Sequence, residues 1–241
     1  MNTFSVGAIP EVDVTTGNGN VSLVVAQEDE IIVTAELRKP DSVEYEVYQD
    51  GDLITVNAKT RSGSRVDVTV TVPRNTDFKL STGNGAVSAV GVQASGQVTC
   101  GDGSLTLDQI TGDVKGSIGN GNIAMKGVIG TFNLTDGNGS ITVSDATGTF
   151  NLTDGNGDIK FHGELTPDSA SRLTVGNGNV TVELTDSPSV ALDLEIEQRG
   201  TIRCDLQATV SEESNYRFVG TIGDGEAGLT VRTGTGDITI K

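Results

Sequence analysis

The chain has 241 residues, of which 33 are acidic and 16 basic, and its formal net charge at pH 7 is −17. This charge argues against a nucleic-acid partner or an anionic-lipid surface, because phosphate groups would be repelled. The 32 glycines, 5 prolines and 35% hydrophobic residues favour strands joined by glycine turns around a buried core.

Residues 1–82 are predicted to form an N-terminal coil and a β-hairpin cap. After one Gly-Asn-Gly triplet at Gly17, three longer alternating runs follow: EIIVTAEL, VEYEVYQDGDLITVNAK and SRVDVTVTVP. The Asp50-Gly51 pair between two alternating stretches predicts a hairpin turn. No segment has the pattern of a signal peptide or the roughly 20 apolar residues of a membrane span, so we expect no direct membrane insertion. A cytosolic protein and the mature part of an exported one both stay open.

Residues 83–175 repeat with a period of 18 residues. The stretch GTFNLTDGNG occurs twice, starting at Gly130 and at Gly148. Gly-x-Gly triplets recur in the same register, and we expect them to form sharp turns in which glycine supplies positive φ and asparagine tolerates it. Their residues are Gly83, Asn84, Gly85, Gly101, Asp102, Gly103, Gly119, Asn120, Gly121, Gly137, Asn138, Gly139, Gly155, Asn156 and Gly157.

Each repeat also carries a period-two hydrophobic pattern. Ile123, Ile141 and Ile159 occupy one position, and Phe132 and Phe150 occupy another. This pattern predicts an all-β single-stranded β-helix (β-solenoid) with about 18 residues per coil, in which identical residues stack as buried columns. The Asn and Asp side chains of the triplets are predicted to form a polar ladder from coil to coil.

Residues 176–241 are predicted to be irregular coils and the C-terminal end of one domain that spans 1–241. Further triplets open at Gly176, Gly223 and Gly234, and the stretch RGTIRCDL indicates a degenerate coil with Ile202 and Cys204 facing inward. The two cysteines, Cys100 and Cys204, are too few for a disulfide framework, and a single bridge between them stays open.

The lead-in TVTVPRNTDFKLSTGNG, the GNGxIxV coils and the ending GTIGDGEAGLTVRTGTGDITI resemble the bacterial putative-adhesin β-strand-repeat domains, a family of domains of unknown function. The resemblance covers about Phe4 to Ile240. It implies a right-handed β-helix, an extracytoplasmic or cell-surface location, and no established enzymatic activity. It supplies no functional residues to carry over.

A calcium site is disfavoured. Calcium-binding β-rolls place an aspartate at the sixth position of a glycine-rich nonapeptide. Here that position holds Ser88, Thr106, Ala124, Thr142 and Lys160. Asp136 and Asp154, directly before the triplets, and Asp158 after one remain the weak metal candidates, and we expect them to be solvated turn residues. No cofactor is expected.

An enzyme is also disfavoured. Two stacked carboxylates about 5 Å apart resemble a glycosidase pair, but every solenoid with a repeated aspartate contains such a pair. The lone His162 follows the inward Phe161 and is predicted to face outward without a catalytic partner.

The leading hypothesis is therefore a non-enzymatic β-helix of the cell envelope that contacts an unknown surface protein or glycan. The alternative is a calcium- or polysaccharide-binding β-helix, with or without glycan-cleaving activity.

Overall fold

The computed structural model describes residues 1–26, 29–61, 63–185 and 187–241. Apart from one 3-10 turn at Pro40–Ser42, the secondary structure of these residues is all β, and none of their helices is long and apolar enough to span a membrane. The chain divides into two compact units, Met1–Asn120 and Gly121–Lys241. The single domain over 1–241 and its segments stay a prediction.

The described residues of the first unit form twelve strands, and alternating Val, Ile and Leu residues turn one face of most of them inward. They are β1 (Asn2–Ser5), β2 (Glu11–Asn18), β3 (Val21–Val25), β4 (Glu30–Arg38), β5 (Val43–Asp50), β6 (Leu53–Thr60), β7 (Arg65–Val72), β8 (Asp77–Asn84), β9 (Val87–Val90), β10 (Gly96–Asp102), β11 (Leu105–Asp108) and β12 (Thr111–Asn120).

The coils of the first unit do not stack in the order of the sequence. Strand β2 pairs in parallel with β6 on one side and with β8 on the other, and β3 likewise lies between β7 and β9. The first coil of the chain is therefore enclosed between two later coils. This arrangement explains the long gap between the triplets at Gly17 and Gly83, because Asn18 and Asn84 are neighbours in space although 66 residues separate them.

The predicted hairpin at Asp50-Gly51 lies at the edge of this stack. Strands β5 and β6 are antiparallel, with Asp50 opposite Leu53. Strand β4 runs antiparallel to β7, and β1 runs antiparallel to β4. The segment 1–82 thus contains a whole additional parallel coil, β6–β7, besides the predicted first coil and hairpin. The antiparallel strands cover the outer edge of that coil.

The part of the second unit that the structure describes also contains twelve strands. They are β13 (Ile123–Lys126), β14 (Ile129–Asn138), β15 (Ile141–Asn156), β16 (Ile159–Leu165), β17 (Ala170–Asn177), β18 (Val180–Leu184), β19 (Val190–Arg199), β20 (Ile202–Cys204), β21 (Thr209–Glu213), β22 (Arg217–Ile222), β23 (Ala227–Thr235) and β24 (Ile238–Ile240).

The core of the second unit contains the columns that the repeat predicts. Ile123 pairs with Ile141, Ile141 pairs with Ile159, and all three are buried. The rings of Phe132 and Phe150 stack with their centroids 5.6 Å apart and an interplanar angle of 9°. The two copies of GTFNLTDGNG lie side by side in parallel, with a separation of 18 residues. Between β15 and β17 the separation is 21 residues.

The last coil of the chain is also enclosed. Strand β23 lies between β17 and β19, and β24 lies between β18 and β20. The coil around RGTIRCDL is therefore at the edge of the stack, and its Ile202 and Cys204 are only half-buried. The triplet at Gly223 is a turn between the antiparallel strand β22 and β23, so it does not belong to the stacked turns.

Candidate functional site

The predicted triplets lie where strands of neighbouring coils turn together. The first glycine and the Asn or Asp are the last two residues of β8, β10, β12, β14 and β15, and the second glycine follows the strand. We call this second glycine the corner glycine. Within these triplets positive φ is confined to the corner glycines other than Gly139, for example +148° at Gly85, whereas the asparagines keep ordinary φ values. The expectation that asparagine shares the positive φ was therefore wrong.

The first glycine of each triplet has another physical role. A Cβ on Gly101 would meet the backbone carbonyl of Gly83, the equivalent residue of the preceding coil. Glycine is thus needed here because two backbones approach each other closely and not because of its φ.

The asparagines use their side chains as a ladder between coils. The Asn84 Nδ2 donates to Asn18 Oδ1 at 2.8 Å, and the Asn120 Nδ2 donates to Asp102 Oδ1. In the second unit Asn156 donates to Asn138 at 2.9 Å and accepts from Asn177 at 2.9 Å. These amides bond one another from coil to coil, so they stabilise the stacking of turns and leave few donors for a ligand.

We expect Asn156→Ala to lower the free energy of unfolding by about 1–2 kcal/mol, because two exposed amide hydrogen bonds disappear. Urea unfolding followed by circular dichroism measures this loss. The control is Thr153→Ala, an exposed substitution on the same strand that should cost less than about 0.5 kcal/mol. Equal losses for both variants would show that the ladder contributes nothing.

Asp136 and Asp154 do not lie in solvated turns, contrary to the sequence-based expectation. Both are 1% exposed and face the core, in phase with Phe132 and Leu134 and with Phe150 and Leu152. They are neighbours in parallel strands, Asp136 opposite Asp154. Because both side chains are buried, a substrate cannot reach them. The two carboxylates therefore cannot act as the glycosidase pair that their spacing resembles.

Burial dominates the electrostatics of this pair. It raises the pKa of Asp136, an effect that the backbone amides of Asn138 and Gly137 partly offset. Burial raises the pKa of Asp154 to about 6, and the negative charges of Asp136 and Asp158 add to the shift. Asp154 Oδ1 accepts a hydrogen bond from the Asn156 amide at 3.0 Å. No donor meets Asp154 Oδ2 or either Asp136 oxygen in full hydrogen-bond geometry, including the Asn138 and Gly137 amides that act on Asp136.

The third metal candidate, Asp158, makes its hydrogen bonds with Asn179 and not with Asp136 or Asp154. Its Oδ1 accepts the backbone N–H of Asn179 at 2.8 Å and the Asn179 side-chain amide at 3.3 Å. Asp158 therefore joins two consecutive turns. Within the described ranges, no three His, Cys, Asp or Glu side chains converge in a geometry that could hold a metal ion.

His162 faces solvent, and the structure adds a neighbour that sequence reasoning missed. Its Nδ1 lies 3.8 Å from Asp145 Oδ1, and both side chains are exposed. Asp145 reaches this place because it has a φ of +54° at a register shift in β15. Cys100 and Cys204 do not form a disulfide bridge.

A polar depression in the first unit was also missed. It has a volume of about 520 Å³ and is lined by Glu11, Asp77, Phe78, Lys79, Ser95, Gly96, Gln97, Asp113 and Lys115. It lies across β2, β8, β10 and β12, which run in parallel. Gly96 opens the depression, because a Cβ there would collide with the Phe78 ring.

Two polar side chains of the depression, Lys79 and Asp77, make contacts with neighbouring strands or turns. Lys79 Nζ contacts Asp13 Oδ2 at 2.9 Å, and Asp77 Oδ1 accepts the Ser95 amide at 2.9 Å. Gln97 and Lys115 pair across neighbouring strands and are exposed. The arrangement offers amide, ammonium and carboxylate groups to a hydroxyl-rich ligand.

Comparison with known proteins identifies the family of the chain but no specific function. No curated protein matches the chain. One similar solved structure is that of a putative cell adhesion protein from Clostridium sporogenes, with 12% identity, coverage of 98% of this chain and 93% of that chain, and a TM-score of 0.28. The profile of the Toastrack DUF4097 family, whose members are domains of unknown function, matches residues 9–241. This match confirms the family resemblance of the coil motifs, and the chain belongs to the Toastrack DUF4097 family.

Proposed function

We propose that the chain is a non-enzymatic structural and binding module of the bacterial cell envelope or surface. It is built as a right-handed β-helix with about 18 residues per coil, and it contacts a surface glycan or protein. The observation that carries the binding role is the polar depression of the first unit. The cell-adhesion name of the similar protein from Clostridium sporogenes is consistent with this setting.

The depression favours a glycan over a protein partner. Its rim consists mainly of charged and amide side chains, and Phe78, its one aromatic residue, is 3% exposed. Protein interfaces are centred on exposed aromatic and apolar anchors, which this depression does not offer. Sugar hydroxyls both donate and accept, so Asp77, Gln97 and Lys115 are suitable partners for them.

The absence of catalysis is part of the proposal. The paired carboxylates Asp136 and Asp154 are buried, so a glycosidic bond has no route to them. The His162 imidazole and its Asp145 neighbour are exposed, and water screens such a pair. Neither arrangement has the positioned acid and base that hydrolysis requires.

The test is binding of the whole chain to immobilised bacterial surface polysaccharides, both neutral and uronate-containing. We expect a Gln97→Ala/Lys115→Ala variant to bind at least tenfold more weakly, because it loses two groups of the depression. Lys126→Ala is the matched control, since Lys126 is an exposed lysine in the other unit. Its affinity should equal that of the unmodified chain.

Two further measurements address the alternative function. Bound polysaccharide should release no new reducing ends, and chelation of calcium should leave the affinity unchanged. Equal binding by the double variant and the control would contradict a site in the depression. Release of reducing ends would contradict the non-enzymatic role.

A further inference from the structure

The residue directly before each Gly-x-Gly triplet faces the core, and we call these residues the pre-corner column. In three coils this residue is a small side chain that donates a hydrogen bond to a corner glycine, whereas in two others it is the apolar Ile118 or Val175. The Thr82 hydroxyl donates to the Gly19 carbonyl at 2.8 Å, and the Thr233 hydroxyl donates to the Gly178 carbonyl at 2.9 Å. The Cys100 thiol contacts the Gly85 carbonyl at 3.2 Å. In these three coils the column therefore satisfies the inward carbonyl of the corner glycine in the neighbouring coil.

Asp136 and Asp154 occupy the same column. The corresponding carbonyls are those of Gly121 and Gly139. A Cβ built on Gly139 would meet both the Gly121 carbonyl oxygen and Asp136 Oδ2, and a Cβ on Gly157 would meet the Gly139 carbonyl oxygen and Asp154 Oδ2. Each carboxyl oxygen thus shares a small enclosed space with a carbonyl oxygen.

Two acceptors cannot bond unless one of them carries a proton. A carboxylate is an acceptor only, whereas a carboxylic acid has one O–H donor. Asp136 Oδ2 and Asp154 Oδ2 have no donor among the described residues, and both are buried. Burying a charged carboxylate oxygen without a donor costs free energy. A protonated carboxyl group that donates to a carbonyl avoids this cost.

We propose that Asp136 and Asp154 are a proton-binding pair, in which the protonated Oδ2 of each donates to the carbonyl of Gly121 and Gly139, respectively. Asp136 and Asp154 stand at the positions in their coils that Thr82 and Thr233 occupy in theirs. Their carboxyl groups can donate the equivalent hydrogen bond only while they are protonated. The second unit therefore contains hydrogen bonds between neighbouring coils that form only at a pH at which these carboxyl groups are protonated.

Among the described residues of the second unit, no buried positive charge competes with the proton. The buried inward residues of the surrounding strands are uncharged, among them Met125 on β13, Val143 on β15, Phe161 on β16 and Val175 on β17. The charged group that acts on Asp154 from outside the pair is Asp158, which is also acidic. The surroundings thus favour the neutral form of the pair.

The direction of the pH effect follows from the raised pKa values. The pKa of Asp154 rises from 3.8 to about 6 in the folded chain, so the folded state holds a proton that the unfolded state has already released. Stability must then fall as pH rises through this window and stay low above it. The shift of Asp136 has the same direction.

The experiment compares thermal unfolding of the full chain between pH 4.5 and pH 8. We expect the Tm of the unmodified chain to fall by about 4–8 °C over this range through Asp154 alone. The Asp136→Thr/Asp154→Thr variant keeps a donor that does not titrate, so its Tm should change by less than about 2 °C. The control Asp113→Asn removes an exposed acid and should retain the full pH dependence.

A direct titration keeps the proposal testable if the double variant does not fold. The carboxyl carbon shifts of the unmodified, carbon-13-labelled chain should show an aspartate that titrates near pH 6, and Asp154→Thr should remove it. Titration of every aspartate below about pH 4.5 would overturn the proposal. So would a calcium-induced rise in Tm at pH 8 that the double variant lacks, because the pair would then be a cation site.

Discussion

Gly85→Ala is expected to lower the free energy of unfolding by about 3–5 kcal/mol, which is a large fraction of the stability of a typical domain. Two separate costs add. The φ of +148° at Gly85 lies in a region that L-residues rarely adopt, and the new methyl group would meet the carbonyl of Gly19 in the neighbouring coil. That carbonyl is fixed by the Thr82 hydroxyl, so it cannot move away without a further loss.

Gly51→Ala is the matched control, because Gly51 also has a positive φ, +61°, but an added Cβ would meet no atom within 4 Å. Its cost should be only the local backbone penalty of about 1–2 kcal/mol. Urea unfolding of both variants measures the difference. If both substitutions lower the free energy of unfolding equally, the close approach between coils is not the reason that the corner position requires glycine.

The regular part of the fold was predictable because it depends on local features that repeat. A column such as Ile123, Ile141 and Ile159 requires only the 18-residue period and alternation, and both are visible in one sequence. The Phe132–Phe150 stacking follows from the same register. Neither feature depends on contacts between distant parts of the chain.

The buried aspartates were visible in the pattern but were misinterpreted. In FNLTD, Asp136 follows Phe132 and Leu134 at the same period of two, so alternation alone places it inward. The general rule that aspartate is exposed outweighed this signal. The sequence does not show that the Gly121 carbonyl points inward beside Asp136. This carbonyl can accept a hydrogen bond from a protonated carboxyl group, which makes burial of the aspartate favourable.

The order of the coils and the polar depression could not be predicted. Parallel pairing of β2 with both β6 and β8 is a choice among several strand edges with the same hydrophobic alternation. The depression combines residues from four strands of four coils around Gly96, and none of them forms a motif in the sequence. Both features depend on tertiary contacts between strands that are far apart in the chain.

Ile238→Ala is expected to lower the free energy of unfolding by about 2–5 kcal/mol, as for a fully buried core residue. Ile238 lies in β24, the last strand in sequence order, and is 0% exposed between Val180 on β18 and Ile202 on β20. If coils stacked in the order of the sequence, β24 would be at the edge and β20 would be enclosed. The structure has the opposite arrangement.

Ile202→Ala therefore provides the decisive comparison. Ile202 is half-buried at the edge of the stack, so its truncation should cost roughly half as much as that of Ile238 or less. Backbone amides of β24 should also exchange with deuterium more slowly than those of β20, since β24 has a strand on each side. A larger loss for Ile202→Ala, with faster exchange in β24, would contradict the enclosed last coil and restore stacking in sequence order.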